Sequence, residues 1–143
     1  NWCAAADKAN CDKRPKVLED YFGNVEILPG VKVNGKQTLG ENIGDNGGRN
    51  IALQALQNQM KKAPLGDKDG FTPEQRFFLN WARVWASNAS PQIIDYLVKS
   101  DVHSPNEARV NNALPHIDAW YKAFGVKKGA KLFIPQNKRA HLW

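Results

Sequence analysis

The sequence predicts a mainly α-helical fold, and capping signals are the clearest observation behind that prediction. The stretch TPEQ (72–75) places threonine at an N-cap, proline at the first helical position and glutamine at the third, and an apolar run follows. The pair SP (90–91) has the same form, and SPNE (104–107) has the spacing of a capping box. Three helices are therefore expected to begin at these points.

Apolar periodicity and turn residues place the remaining elements. Proline inside a helix removes one backbone hydrogen bond, so a break or kink is expected at Pro15. Glycine just past an apolar helical run commonly ends a helix, and Gly125 stands at such a point. In chain order the sequence predicts a helix over 4–22, a loop or short hairpin over 25–36, a helix over 38–62 and a helix over 117–124.

Three glycines interrupt the long helix predicted over 38–62. Gly44, Gly47 and Gly48 fall within its first half, and each interior glycine costs about 1 kcal/mol relative to alanine. A cost of that size calls for a reason, and close packing of another backbone is one. The glycines therefore give a first indication of a site beside this helix.

Composition and charge narrow the classes of function. The 143 residues, 42% of them hydrophobic, are enough for one core, so a single unit over 1–143 is expected. The net charge of +6 is compatible with an anionic partner, but Lys and Arg are scattered, and nucleic-acid binding is only a weak alternative. No apolar run approaches the roughly 18 residues that a membrane span needs. The spacing of Cys3 and Cys11 leaves open whether they form a disulfide.

Two carboxylates on the long helix are the first candidate site residues. Glu41 and Asp45 stand four residues apart, so they share one face of a helix and repel each other. A cation beside them removes that penalty, and a metal ion with histidine ligands is one such cation. A solvated acidic face is the alternative. We expect the pair to face an open groove.

A second cluster surrounds the start of the helix predicted after residue 104. Asp101 is placed to accept a hydrogen bond from the ring of His103, and Arg109 follows about two turns later. A histidine and an arginine directed into one cleft suit an oxyanion or a carbonyl group. An ordinary surface pair of Asp101 and His103 is the alternative. Val84 and Trp85 likewise have two interpretations, core packing or the lining of an apolar pocket.

Taken together, these segments resemble the C-terminal part of the neprilysin family of zinc metallopeptidases. The similarity runs through nearly the whole chain in the same order, which makes it far more specific than any one motif. The stretches that carry it are NG (34–35), TLGENIGDNGG (38–48), QRFFLNWARVW (75–85), DVHSP (101–105), RVN (109–111), AFGV (123–126) and the terminal Trp143.

The resemblance implies a role for each candidate residue. Glu41 is implied to be the third protein ligand of a catalytic zinc ion, and Asp45 to orient a zinc-bound histidine from elsewhere in the enzyme. His103, supported by Asp101, is implied to hydrogen-bond the oxyanion of the tetrahedral intermediate. The remaining roles concern the bound peptide: Arg109 holds one of its carbonyl groups, and Val84 and Trp85 line a pocket for an apolar side chain. His103 and Arg109 are both expected to stand apart from the core.

The chain departs from the family pattern in ways that bear on its activity. The family's H-E-x-x-H helix supplies two zinc ligands and the general base, and none of the three histidines here stands in such a pair. We therefore expect a C-terminal fragment, the helical part of a thermolysin-like (zincin) catalytic domain, that is inactive alone and partners the N-terminal remainder of its enzyme. Arg49 stands where an apolar residue is common, which leaves the local packing open.

The intact protein is expected to be a zinc endopeptidase that cleaves oligopeptides on the amino side of apolar residues. Ala86 and Ala140 replace cysteines of the animal members, which favours a bacterial origin and a location in the cell envelope, periplasm or medium. The alternative is a non-catalytic peptide-binding or interaction module on the same scaffold. An H-E-x-x-H sequence upstream in the parent gene favours the enzyme.

Overall fold

Helices carry the fold in the computed structural model, which describes residue 4 and residues 7–142 without the side chains of residues 9 and 10. The sheet found in this part is a two-stranded antiparallel hairpin. The elements are α1 (Lys8–Gly23), β1 (Glu26–Leu28), β2 (Val31–Lys32), α2 (Leu39–Lys62), α3 (Pro73–Val84), α4 (Pro91–Ser100), α5 (Asn106–Asn111) and α6 (Asp118–Phe124). Short 3-10 turns lie at Leu114–His116 and Gln136–Lys138.

Local signals placed most of these elements correctly. The Thr72 hydroxyl accepts from the Gln75 backbone N–H at 3.2 Å, and the Gln75 side chain accepts from the Thr72 N–H at 2.9 Å, so the predicted capping box is confirmed. The Ser90 hydroxyl caps α4 by accepting from the Ile93 N–H at 3.3 Å. Gly125 ends α6 with φ of 61°, a left-handed conformation that favours glycine.

The predicted capping box at Ser104 is wrong. The N-cap residue of α5 is Pro105, and no side chain caps this helix. Ser104 is buried, and its hydroxyl instead donates to the Asn42 side-chain oxygen on α2 at 2.8 Å. The local pattern predicted that the Ser104 hydroxyl would cap α5, but the hydroxyl forms its hydrogen bond with a residue that is distant in sequence.

The interpretation of the α2 glycines is wrong at two of the three positions. A Cβ atom added at Gly44 or Gly48 meets nothing within 4 Å, although Gly47 is buried. The close approach is at Gly35, where a Cβ would lie 2.7 Å from the Gly23 nitrogen and closer still to a carbonyl of α1. Gly35 thus allows the loop before α2 to pass against the end of α1, which itself continues through Pro15 without interruption.

Two apolar clusters form the core, and α5 lies between them. The first joins α1, the hairpin, α5 and the C-terminal tail, and it includes Phe22 and Ala108. The second joins α2, α3 and the segment leading into α6; it includes Phe78, and Val110 of α5 packs against it. Arg109, between Ala108 and Val110, is thereby held inside the molecule.

Some sequence predictions fall at the edge of what the structure describes. Cys11 is disulfide-bonded, whereas Cys3 and Trp143 lie outside the described residues. The sequence pattern also predicts Ile94, Leu97 and Val98 on the buried side of α4; Val98 is buried as predicted, but Leu97 is 40% exposed. No helix in the part of the chain that is described has the length and apolar character needed to cross a membrane.

Gly35 and Gly44 provide a matched pair of alanine substitutions. Gly35→Ala is expected to lower the free energy of unfolding, because the new Cβ overlaps backbone atoms of α1. Gly44→Ala is expected to raise it by about 1 kcal/mol, because the helix gains a better helix former in open space. Urea unfolding of both variants measures the two changes. Equal effects of the same sign would contradict this account.

Candidate active site

The two carboxylates at the start of α2 each have a separate cationic or ionisable partner. The Glu41 side chain is 46% exposed, and its Oε2 lies 3.1 Å from His103 Nε2. The Asp45 side chain is only 11% exposed and accepts two hydrogen bonds from Arg109. The spacing of four residues therefore brings both carboxylates against the same segment, 101–109, and each partner offsets the repulsion between them.

His103 lies between two carboxylates. Its Nδ1 is 2.8 Å from Asp101 Oδ1, and its backbone N–H donates to the same oxygen at 2.9 Å. The backbone hydrogen bond, reinforced by the ring, holds the pKa of Asp101 below its ordinary value. This bond therefore stabilises the fold at neutral pH, and its contribution is lost as the pH falls through that lowered pKa. Only the doubly protonated ring can donate to Asp101 and Glu41 together.

Buried polar contacts hold the His103 segment against α2. The Gln37 side chain donates to the Asp101 carbonyl at 2.7 Å, which fixes the backbone just before His103. On the other side, the Ser104 hydroxyl donates to Asn42, whose amide donates to the Thr38 hydroxyl at 3.1 Å. Because Asn42 adjoins Glu41 in sequence, these contacts set the distance between the Glu41 carboxylate and the imidazole.

Arg109 forms the most buried ion pair of the site. Its Nε and Nη2 donate to the two Asp45 oxygens at 2.7 and 2.8 Å, which is bidentate geometry. The guanidinium carbon lies 3.6 Å from the centre of the Trp85 ring, a cation–π contact. Arg109 is 8% exposed. The expectation that it stands apart from the core is therefore wrong.

Arg49 is a participant that sequence analysis did not assign to the site. Its Nη1 donates to the Arg109 carbonyl at 3.2 Å, and the Trp81 indole N–H donates to the same oxygen at 3.0 Å. Burial lowers the pKa of Arg49 to about 10, so it remains charged at neutral pH. Its spacing of seven residues from Asn42 and four from Leu53 places it on the buried face of α2, which is the signal that could have identified it.

An open cleft of about 850 Å³ runs beside these residues. Asp101, His103, Arg109 and Trp85 line it, together with the loop after α3 and the inner side of α4. Val84, predicted to line an apolar pocket with Trp85, is 62% exposed and is not among the lining residues. The structure thus gathers Asp101, His103, Arg109 and Trp85 around one groove, whereas Glu41, Asp45 and Val84 are not among its lining residues. The expectation that the two carboxylates face an open groove is therefore not confirmed.

The residues present fit a zinc ion only as part of a shared site. Carboxylate oxygen is an ordinary zinc ligand, and the half-exposed Glu41 carboxylate has one neighbour, His103 Nε2 at 3.1 Å, and lone pairs remaining. Within the described part of the chain, however, no group of three or more His, Cys, Asp or Glu side chains is placed to hold a metal. Glu41 is therefore suited to be one ligand among several, the others coming from outside these residues.

Solved structures of zinc metalloproteases share this fold. A zinc metalloprotease of Mycobacterium tuberculosis, solved in complex with an inhibitor, superimposes with a TM-score of 0.94 at 34% identity and matches all of this chain and 23% of its own. PEPO from Lactobacillus rhamnosis superimposes with a TM-score of 0.81 over 97% of this chain and 20% of its own, also at 34% identity. The helical architecture is thus that of the helical part of a zincin domain.

Sequence relatives define the family. Human neprilysin is 30% identical over 151 residues, and the neutral endopeptidase of Lactobacillus helveticus is 34% identical over 143; each alignment covers the whole chain. The chain spans about a fifth of the length of these curated relatives. The model of peptidase family M13 matches residues 1–140. The chain therefore belongs to peptidase family M13, the neprilysin family, as its motifs indicated.

The buried ion pair predicts how substitutions at Arg109 and Asp45 will combine. Arg109→Met alone should lower the free energy of unfolding by about 3–5 kcal/mol, because it leaves the Asp45 carboxylate buried without its partner. The double variant Arg109→Met with Asp45→Leu should lose less than the two single losses added together. A thermodynamic cycle from urea unfolding gives the coupling energy. Strict additivity would show that the pair does not hold α5 to α2.

Proposed function

We propose that this chain supplies the carbonyl-binding half of a zinc endopeptidase active site. The observation that carries the proposal is the placement of His103, whose Nε2 lies 3.1 Å from Glu41 and whose Nδ1 lies 2.8 Å from Asp101 at the edge of the cleft. An oriented imidazole beside a carboxylate of the type that binds zinc is suited to peptide hydrolysis. Membership of peptidase family M13 supports the same conclusion.

Glu41 is the residue of this chain that would hold the zinc ion. Zinc, when bound, polarises the scissile carbonyl as a Lewis acid. Asp45 carries two hydrogen bonds from Arg109 and keeps lone pairs for a further donor, so it can also orient a histidine from the remainder of the protein. Both residues lie on the first turns of α2, a rigid element of 24 residues.

His103 is proposed to donate a hydrogen bond to the oxygen of the scissile carbonyl as negative charge develops on it. Asp101 holds the ring through Nδ1, so Nε2, which lies 3.1 Å from Glu41 in this structure, is the nitrogen proposed to donate to the substrate when Glu41 holds the zinc ion. Such a donor acts most strongly in the transition state, because the charge on the oxygen is greatest there. The side chain is 42% exposed, which leaves it accessible to a bound peptide.

Arg109 is proposed to hold a backbone carbonyl of the bound peptide. Asp45 engages its Nε and one Nη2 hydrogen, which leaves both hydrogens on Nη1 and one on Nη2 for a substrate oxygen. The Trp85 ring stacks against the guanidinium and fixes its plane. Arg109 is thus a positioned donor on the cleft wall and does not need to order itself when substrate binds.

Preference for apolar residues on the carboxyl side of the cleaved bond is proposed to come from the wall near Trp85. Ala82, Ile94 and Leu97 line the same cleft and offer apolar surface. Val84 would contribute only if the remainder of the intact protein continues this wall. An envelope or secreted location fits the disulfide at Cys11, since disulfides persist in oxidising compartments. Curated relatives include human and bacterial proteins, so the bacterial origin stays a prediction.

The 143-residue chain by itself is expected neither to retain zinc after dialysis nor to hydrolyse peptides. One carboxylate ligand with an orienting aspartate cannot satisfy a tetrahedral ion. Metal analysis and a fluorogenic peptide assay, run beside the intact protein as the positive control, measure both properties. Stoichiometric zinc in the isolated chain would sink the shared-site proposal, and a metal-free, inactive intact protein would favour the non-catalytic module.

In the intact protein, His103→Ala is expected to lower kcat and kcat/KM together by roughly 10²-fold or more. An oxyanion donor acts mainly in the transition state, so KM should change little. The half-exposed ring contributes little to packing, so the melting temperature and the zinc content should stay near those of the wild type. His141→Ala, the same substitution at an exposed histidine that does not line the cleft, is the matched control. Unchanged kcat in His103→Ala, or loss of the fold, would remove the proposed role.

A further inference from the structure

The backbone carbonyl of Arg109 accepts hydrogen bonds from side chains of two other helices. Helix α5 ends at Asn111, so this carbonyl has no partner four residues further along within its own helix. Arg49 Nη1 donates to it at 3.2 Å, and Trp81 Nε1 donates to it at 3.0 Å. Because these donors belong to α2 and α3, they tie the backbone at Arg109 to both helices.

The same two helices also hold the side chain of Arg109. Asp45, four residues before Arg49 on α2, accepts from the Arg109 guanidinium through both of its oxygens. Trp85, four residues after Trp81 on α3, has its ring centre 3.6 Å from the guanidinium carbon. Residues four apart lie on one face of a helix. One face of α2 and one face of α3 therefore each contact both the backbone and the side chain of Arg109.

Arg49 and Trp81 do not form the surface of the cleft. Neither residue is among those that line it, whereas Arg109 is. Arg49 is 2% exposed, and its guanidinium carbon lies 4.6 Å from the centre of the Trp81 ring. The two side chains are therefore packed behind Arg109, and any effect that they have on a bound peptide must pass through Arg109.

Stability of the fold does not account for the charge of Arg49. Burial lowers the pKa of Arg49 to about 10, and the nearby Asp45 carboxylate offsets only part of this effect, so the charged form is less stable here than in water. Its Nε and Nη2 have no hydrogen-bond partner in the described part of the chain. Replacing a buried charge by an apolar side chain of similar volume is often neutral or stabilising. The guanidinium therefore opposes folding while it holds the Arg109 carbonyl.

We propose that Arg49, together with Trp81, is a positioning residue for substrate binding: it fixes the backbone from which the Arg109 guanidinium reaches a carbonyl group of the bound peptide. The inference rests on the proposed role of Arg109 as a donor to the substrate. A guanidinium held at both its backbone and its side chain loses less freedom when the peptide binds. Because the carbonyl group is present in the substrate and in the transition state alike, this contribution affects KM more than kcat.

Peptidase kinetics of the intact protein with Arg49→Met separate this role from support of the fold. KM should rise by roughly three- to tenfold, the effect of one hydrogen bond, while kcat stays near that of the wild type. The melting temperature should stay the same or rise, because a buried charge is removed. Trp81→Phe removes the other donor to the same carbonyl and should also raise KM. Lys62→Met, at an exposed cation of α2, is the matched control and should leave KM unchanged. An unchanged KM in Arg49→Met, or failure of that variant to fold, would overturn the proposal.

A series of modified peptides tests whether Arg49 acts through Arg109. In each peptide one backbone carbonyl on the carboxyl side of the cleaved bond is replaced by a methylene group, and the scissile carbonyl is kept. One replacement should raise the KM of the wild type, and with that peptide Arg49→Met should have little further effect. If no replacement changes the wild-type KM, the proposed role of Arg109 is wrong and this inference fails with it. If one replacement does, but Arg49→Met raises KM equally for every peptide, the role of Arg109 stands and the inference alone is overturned.

Discussion

The bidentate pair between Arg109 and Asp45 is the interaction on which the arrangement of the site depends. Helix α5 has six residues, too few to be stable alone, so its position must come from tertiary contacts. Ala108 and Val110 secure it between two apolar clusters, and the charged pair fixes its rotation against α2. Without that pair, each cluster would still bury apolar surface, but α5 would lose its one side-chain ion pair to α2 among the described residues.

Further hydrogen bonds between helices fix the backbone at Arg109 and the position of the 101–104 segment. Trp81 of α3 and Arg49 of α2 donate to the Arg109 carbonyl, so three helices converge on one residue. On the other side, Gln37 and Ser104 hold the 101–104 segment to the start of α2, which places His103 beside Glu41. The site is thus built on polar contacts between helices, which hold Asp101, His103 and Arg109 at the wall of the cleft.

Arg49 lies on the inner face of α2, at a position where the family resemblance predicts an apolar residue. Its guanidinium affects more than the local packing. A buried guanidinium needs partners for five N–H groups, and a carbonyl and an indole face provide only some of them. The Nε and Nη2 groups of Arg49 are left without a hydrogen-bond partner in the described part of the chain.

The sequence by itself determined the local structure and the identity of the charged residues. Helix starts at Thr72 and Ser90 and the helix end at Gly125 depend on bonds spanning at most four residues, so the local pattern specified them. The family motifs likewise singled out Glu41, Asp45, His103 and Arg109. Tertiary structure decided what those residues contact. Ser104 has the local pattern of a cap, yet Asn42, 62 residues away, takes its hydroxyl. Arg109 was expected to stand apart from the core and Arg49 left the local packing open, yet both side chains are buried. Such partners lie on other helices, and spacing along one helix carries no information about the side chain that will face it across a packed interface.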